Sequence, residues 1–111
     1  MKRLLVVAIT AALIQPATAQ VTGNTWEANC ASQELHDYVA CRRYVAGVAD
    51  TLRVWEASSP STLEACIPDK ATVGQLVEVG RKFMRDNPSG RHLPAGVLLV
   101  TAFTFAWPCK R

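Results

Sequence analysis

Apolar residues recur at steps of three and four along much of the chain, which is the spacing of one face of an α-helix. The longest such stripe carries Tyr38, Cys41, Val45, Val48, Leu52 and Trp55. It predicts a long helix that ends near Ala57, because the polar and proline-containing residues 58–61 follow. Gly47 lies inside this helix and costs about 1 kcal/mol there. We therefore expect Gly47 to serve close packing against a neighbouring helix.

Two further stripes predict a pair of helices in the second half of the chain. The first stripe consists of Val73, Leu76, Val77, Gly80, Phe83 and Met84, and the second of Ala95, Leu98, Leu99, Ala102, Phe103 and Ala106. Thr72 and Gln75 have the spacing of a capping box at the start of the first helix, and residues 87–90 stop it. Pro94 suits the first turn of the second helix, and Pro108 ends it.

A shorter helix is expected at residues 26–30, capped by Asn24 or Thr25. No segment alternates apolar and polar residues in the manner of a strand. The patterning therefore predicts an all-α fold, a small disulfide-stabilised bundle of four to five helices.

The first 19 residues follow a different pattern. Met1-Lys2-Arg3 supplies a basic start, an apolar run covers residues 4–14, and Ala17-Thr18-Ala19 supplies small residues at a cleavage site. This order is that of a secretory signal peptide cleaved after Ala19. The run is shorter than the roughly 20 residues of a membrane span, and no cysteine adjoins the cleavage site, so no membrane anchor is expected. Residues 20–111 are predicted to form a single domain.

Charge argues against a nucleic-acid partner. The whole chain carries a formal net charge of +3. Without Lys2 and Arg3, ten basic residues face nine acidic ones. A nucleic-acid-binding domain of this size normally has a strong basic excess, so the expected partner is of another class.

Four cysteines, Cys30, Cys41, Cys66 and Cys109, remain after export to an oxidising compartment. Their even number predicts disulfides. A metal site is not expected, because there is no C-x-x-C pair and no histidine at ligand spacing from a cysteine. If the last two helices form an antiparallel hairpin, Cys66 and Cys109 meet at one end of it. Cys30 and Cys41 then pair locally.

The sequence predicts no catalytic residue and no cofactor. His36 lies between Glu34 and Asp37, but on a polar stretch that reads as a solvated helix start. His92 has no carboxylate near it in sequence, and disulfide formation leaves no thiol nucleophile. We therefore expect a binding protein rather than an enzyme.

One polar, turn-rich segment between the last two predicted helices is a candidate binding loop. Its candidate residues are Asp86, Asn87, Ser89, Gly90, Arg91 and His92. Loops on a rigid scaffold are where binding residues collect. A simple connector would have the same composition, and the residues alone leave both interpretations open.

An ordered set of motifs resembles the Rap/Tai immunity proteins of type VI secretion. The set comprises Cys41-x-x-Tyr44-x-x-Gly47-x-x-Asp50, Cys66-Ile67-Pro68, Thr72-x-x-Gln75-Leu76, Pro88, Arg91-His92-x-Pro94-Ala95 and Ala106-Trp107-Pro108-Cys109. The resemblance covers residues 26–109. It implies a periplasmic, helical, disulfide-bonded and commonly dimeric protein, here a homodimer.

The resemblance also implies a function. Such proteins protect a bacterium by inhibiting secreted peptidoglycan amidase effectors, which are cysteine peptidases that cut cell-wall cross-links. The loop between the last two main helices, residues 86–92 here, would enter the active-site cleft of the effector. Two other functions suit a small, helical, disulfide-bonded periplasmic protein. One is an acid-stress chaperone of the HdeA type, and the other is an envelope-assembly subunit.

Overall fold

Four α-helices build the described part of the protein. The computed structural model describes residues 20–59 and 65–110, so the expected signal peptide lies outside the described residues. The helices are α1 (Gly23–Ala31), α2 (Leu35–Ser58), α3 (Val73–Asp86) and α4 (Ala95–Ala106), and a short 3-10 helix covers Pro88–Gly90. The described part contains no strand beyond two isolated β-bridges. The predicted all-α, disulfide-stabilised bundle is confirmed.

Helix α1 begins earlier than its sequence indicated. Thr22, rather than Asn24 or Thr25, is the N-cap, and its hydroxyl accepts a hydrogen bond from the Thr25 amide. The earlier start brings Trp26 into the first half of the helix, where its side chain is fully buried. The indole Nε1 donates to the Cys41 carbonyl of α2 at 3.1 Å. Trp26 therefore joins α1 to α2 at the centre of the core.

The long helix α2 follows its predicted stripe in the middle but not at the ends. Cys41, Val45 and Leu52 are buried, whereas Tyr38 and Trp55 are 42% and 54% exposed. The reason is length. With 24 residues, α2 runs for about 36 Å, whereas α3 has 14 residues and α4 has 12. The ends of α2 therefore extend past the helices that cover its middle.

The expectation of close packing at Gly47 is wrong. A Cβ built on Gly47 meets no other atom within 4 Å, and the residue is exposed. Close packing occurs instead at Gly80 of α3, where a Cβ would lie 2.6 Å from Leu99 Cδ2 and 2.7 Å from Trp26 Cη2. Nothing inside the described part of the chain explains the cost of about 1 kcal/mol that a glycine imposes on the interior of α2.

Helices α3 and α4 form the expected antiparallel hairpin. The Thr72–Gln75 capping box is present at the start of α3, with both of its hydrogen bonds formed. Arg81 of α3 makes a bidentate ion pair with Glu27 of α1, with a shortest N–O distance of 2.9 Å. This pair is half-buried and fixes α1 across the hairpin.

Helix α4 is apolar on nearly all of its faces. Its residues Ala95, Leu98, Leu99, Ala102 and Phe103 are buried, as the stripe predicted, but Ala106 is exposed. Ala106 is the last helical residue and lies where the hairpin ends. Among the described residues, no helix has both the length and the hydropathy that a membrane crossing needs.

Two disulfides close the structure at different places. Cys30–Cys41 joins the end of α1 to the second turn of α2, and Cys66–Cys109 joins the segment before α3 to the segment after α4. These are the pairs that the hairpin argument led us to expect. Cys66 N also donates to the Trp107 carbonyl at 2.8 Å, so the open end of the hairpin is held by backbone as well as by sulfur.

Candidate partner-binding site

The segment that joins α3 to α4, residues 86–92, forms a compact turn that we call the tip. It contains the end of α3, its C-cap Asn87 and the 3-10 helix Pro88–Gly90. The structure brings all six candidate residues of the binding loop into this one turn. The tip lies at the opposite end of the hairpin from Cys66–Cys109, about 20 Å away for a helix of 14 residues.

Hydrogen bonds within the tip fix its shape. The backbone N and the side-chain Nδ2 of Asn87 each donate to the Phe83 carbonyl at 3.0 Å. Gly90 N donates to the Asn87 carbonyl at 3.2 Å, and Leu93 N donates to the Gly90 carbonyl at 3.0 Å. The Phe83 carbonyl near the end of α3 therefore accepts two hydrogen bonds from Asn87, and the Asn87 and Gly90 carbonyls find donors within the turn. These bonds hold the tip against the helix end.

The start of α1 braces the tip from the side. Gly23 N donates to the Leu93 carbonyl at 3.0 Å, and Asn24 N donates to the Arg91 carbonyl at 2.8 Å. In return, Ala95 N at the start of α4 donates to the Val21 carbonyl at 2.7 Å. Amides in the first turn of a helix have no partner within that helix. The free amides at the helix starts therefore bond to carbonyls in and beside the tip. Main-chain hydrogen bonds thus largely set the conformation of the tip.

Gly23 permits this close approach, and replacing it should disturb the tip. A Cβ on Gly23 would lie 2.5 Å from Leu98 Cδ1 and 2.9 Å from the Arg91 carbonyl oxygen. We expect Gly23→Ala to lower the free energy of unfolding by about 1–3 kcal/mol, because backbone must shift to admit the methyl group. Urea denaturation of dilute protein measures this loss.

Gly47→Ala is the matched control, since its methyl group meets nothing within 4 Å. It should raise the free energy of unfolding by up to about 1 kcal/mol through helix propensity. Equal effects at the two glycines would contradict the brace.

Several polar side chains of the tip remain available to a partner. Asp86 is held by Lys82, with 2.6 Å between Oδ2 and Nζ. Within the described residues, no hydrogen bond or ion pair engages the side chains of Ser89, Arg91 or His92. Ser89 and His92 are exposed and Arg91 is half-buried. The tip therefore offers hydroxyl, guanidinium and imidazole groups on a fixed backbone.

Apolar surface adjoins the tip on both sides. Leu93 is 41% exposed and Val97, one turn further along α4, is 58% exposed. On the other side lies a groove of about 420 Å³ between α3 and α4, and Asp86 and Asn87 of the tip are among the residues that line it. Its apolar walls include Phe83 and Phe105, whose rings stack with centroids 6.4 Å apart. A polar turn flanked by apolar side chains has the make-up of a protein-binding surface.

Catalytic and metal-binding arrangements are not seen in residues 20–59 and 65–110. No group of three His, Cys, Asp or Glu side chains is close enough to hold a metal ion there. His36 and Asp37 form a pair at 3.0 Å, but the imidazole is 78% exposed at the start of α2. The Asp37 carboxylate also accepts a hydrogen bond from the Ser32 hydroxyl at 2.8 Å. The pair thus serves the beginning of the helix.

The sequence analysis missed two parts of this site. One is the brace by Val21, Gly23 and Asn24, which depends on contacts between distant parts of the chain. The other is the exposed apolar pair Leu93 and Val97. The Thr22–Thr25 spacing is the one signal that indicates the true start of α1, since a threonine hydroxyl three residues before an amide is a usual cap.

Comparison with known proteins identifies the family. A sequence model of the Rap1a immunity proteins matches residues 22–109, a range that includes all four helices, both disulfides and the tip. No curated protein and no solved structure matches this chain. The match covers well over half of the chain, and it agrees with the resemblance noted from the ordered motifs. The chain therefore belongs to the Rap1a immunity protein family.

Proposed function

We propose that this immunity protein works in the periplasm, where it binds and inhibits a peptidoglycan amidase effector of type VI secretion. It acts by occupying the active-site cleft of the effector rather than by catalysis. Membership of the immunity family supplies the general role, a protein that neutralises an effector. The resemblance of the ordered motifs to Rap/Tai proteins supports the narrower target, and it also supports a homodimer.

The braced tip is the observation that carries this proposal. Residues of α1 hold the Arg91 carbonyl of the tip and the Leu93 carbonyl just after it, and Asn87 bonds the other end of the tip to the Phe83 carbonyl. A loop that is ordered before binding loses less conformational entropy on binding, and the saving appears as affinity. A turn at the closed end of a hairpin clamped by Cys66–Cys109 is also a suitable element to enter a cleft.

The side chains of the tip suit a cleft that binds peptides. Ser89, Arg91 and His92 supply donors for the carbonyl oxygens and carboxylates that line such a cleft. Leu93 and Val97 supply the apolar contact that excludes water around them. We propose that these five side chains form the centre of the contact, with the candidate residues Asp86, Asn87 and Gly90 shaping the turn.

Periplasmic location is supported by two features of the chain. Residues 1–19 have the order of a signal peptide with cleavage after Ala19. All four cysteines are paired, and such bonds persist in oxidising compartments such as the bacterial periplasm. In this proposal the mature protein starts at Gln20.

Replacing Arg91 and His92 together with alanine should weaken inhibition at least tenfold, a change of about 1.4 kcal/mol in binding. The backbone bonds of the tip do not involve these side chains, so the melting temperature should change by little. The assay is hydrolysis of purified peptidoglycan by a purified cysteine peptidase effector that this protein binds, titrated with each variant.

Lys110→Ala is the matched control, because it removes a cation at the opposite end of the hairpin, next to Cys109. It should leave inhibition unchanged. Unimpaired inhibition by a chain that lacks residues 86–92 would contradict the proposed site. Protection of unrelated proteins from aggregation at low pH, without effect on the amidase, would favour an acid-stress chaperone instead.

A further inference from the structure

One face of α2 is exposed although it carries two valines and a central glycine. It lies opposite the face that buries Cys41, Val45 and Leu52. We call this face the α2 stripe, and it consists of Val39, Arg43, Ala46, Gly47, Asp50 and Val54. Val39 and Val54 are 40% and 66% exposed. The stripe therefore combines apolar ends with a centre of small residues and two charges.

The centre of the α2 stripe is a shallow groove with no internal occupant. The groove measures about 520 Å³, and it is lined by Ala46 and Gly47 at the centre of the stripe and bordered by Val73 at the start of α3. No atom lies within 4 Å of a Cβ placed on Gly47. A glycine in the middle of a helix with nothing packed on it does not stabilise the isolated chain. We therefore look for a contact with another molecule that needs the space at Gly47.

The α2 stripe is symmetric about the point between Ala46 and Gly47. Arg43 and Asp50 lie equally far from this point on either side, and so do Val39 and Val54. When two copies of a helix pack antiparallel about a twofold axis, residues at equal distances on either side of the axis face each other. Antiparallel pairing centred here therefore sets Arg43 of each copy opposite Asp50 of the other.

We propose that the α2 stripe is the surface through which two copies of this chain associate, with their α2 helices antiparallel and reciprocal Arg43–Asp50 ion pairs. This assignment rests on the homodimer of the proposed function and names its surface. Arg43 is exposed and makes no hydrogen bond or ion pair within the described part of the chain. Asp50 contacts Arg53 at 3.5 Å and is 75% exposed. Both charges are thus accessible to a second copy.

A second copy fits this surface better than an effector does. An isologous interface needs one patch that complements itself. The charges on the α2 stripe are arranged in this way. The exposed side of α4 carries Val97, Val100 and Phe105 but no charged residue, so it lacks groups that would set an orientation. Pairing through α2 also leaves both tips uncovered, since the tip is held by α1 and by the end of α3.

Charge exchange on the α2 stripe provides the test. Arg43→Glu alone, or Asp50→Arg alone, places like charges opposite each other and should weaken dimerisation of the exported, disulfide-bonded protein at least tenfold. The double variant R43E/D50R restores opposite charges across the axis and should regain affinity to within about threefold. Within one copy the two residues are separated by about 10 Å along the helix, so rescue would report contact between copies. Sedimentation equilibrium measures each dissociation constant.

Gly47→Leu tests the close approach of the two α2 helices, because it should weaken dimerisation without lowering the stability of the monomer. Dimerisation should weaken at least tenfold, because the side chain fills the groove at the axis. The melting temperature of the dilute monomer should stay the same or rise, because leucine favours the helix and its Cβ meets no neighbour within 4 Å. Glu78→Leu is the control for adding an exposed leucine, since Glu78 is exposed on α3 outside the stripe, and it should not change dimerisation.

Several results would overturn the assignment. These are a protein that stays monomeric at all concentrations, a double variant without rescue, and a Gly47→Leu protein that dimerises normally. Loss of the dimer with Val97→Glu alone would move the interface to α4. None of these measurements uses an effector. A failure here therefore leaves amidase inhibition by the tip standing, and Gly47→Leu protein that is monomeric should still inhibit.

Discussion

Reduction of both disulfides is expected to leave the protein largely unfolded at room temperature. The shorter loop, Cys30–Cys41, spans 11 residues and the longer loop, Cys66–Cys109, spans 43. In the chain-entropy description they stabilise the fold by about 3 and about 4 kcal/mol. A whole domain has a net stability of about 5–15 kcal/mol. Losing both bonds therefore removes much or all of it.

The two bonds can be removed separately as double serine variants. Removing Cys66–Cys109 should cost more than removing Cys30–Cys41, because it closes the longer loop and holds the open end of the hairpin. Thermal unfolding followed by circular dichroism measures each loss, and mass spectrometry verifies the thiol count of every sample. A reduced protein that melts within a few degrees of the oxidised one would show that helix packing alone suffices.

Trp26→Ala is expected to be the most damaging single substitution. The side chain is fully buried, touches the groove that Gly80 leaves on α3, and donates to the Cys41 carbonyl at 3.1 Å. Replacing a buried tryptophan with alanine costs about 3–5 kcal/mol, because the cavity refills only in part. Urea denaturation followed by far-UV circular dichroism measures the loss of stability without relying on tryptophan fluorescence.

Two further variants separate the parts of this effect. Trp26→Phe keeps most of the packing and removes the indole donor, so it should cost less, about 1–3 kcal/mol. Trp55→Ala makes the same chemical change at a position that is 54% exposed, and its cost should be less than half that of Trp26→Ala. Similar losses at the two tryptophans would mean that α1 is not anchored as described.

Local signals were sufficient for much of the fold. The Thr72–Gln75 capping box and the polar residues after Met84 define α3 because caps and turns depend on neighbours in sequence. The buried residues of α4 follow from their spacing alone. The disulfide pairs followed from the hairpin, since a short connection makes adjacent helices antiparallel.

Features that depend on contacts between distant residues were not predictable. Gly23, Gly47 and Gly80 look alike in sequence, yet two of them lie against other helices and one faces outward. Tyr38 fits a helical stripe and is nevertheless exposed, because the stripe does not reveal where the partner helices end. Periodicity shows which side of a helix faces the core, but not how much of that side is covered.

The candidate site was predictable in composition but not in construction. Its polar residues, such as Arg91 and His92, stand out between two apolar helices. The sequence gives no sign that Gly23 and Asn24, almost seventy positions earlier, hold the carbonyls of the same turn. Such a contact is a property of the assembled bundle, and pattern analysis of one chain does not detect it.

Main-chain bracing of the tip has a consequence for how such a protein can acquire a new target. The backbone amides of Gly23, Asn24 and Ala95 donate to backbone carbonyls. None of these bonds involves the side chains of the tip. The identity of the side chains at Ser89, Arg91 and His92 is therefore nearly independent of the shape of the turn. Evolution or protein design can therefore substitute those three residues to match a different toxin, while the backbone of the turn keeps its conformation.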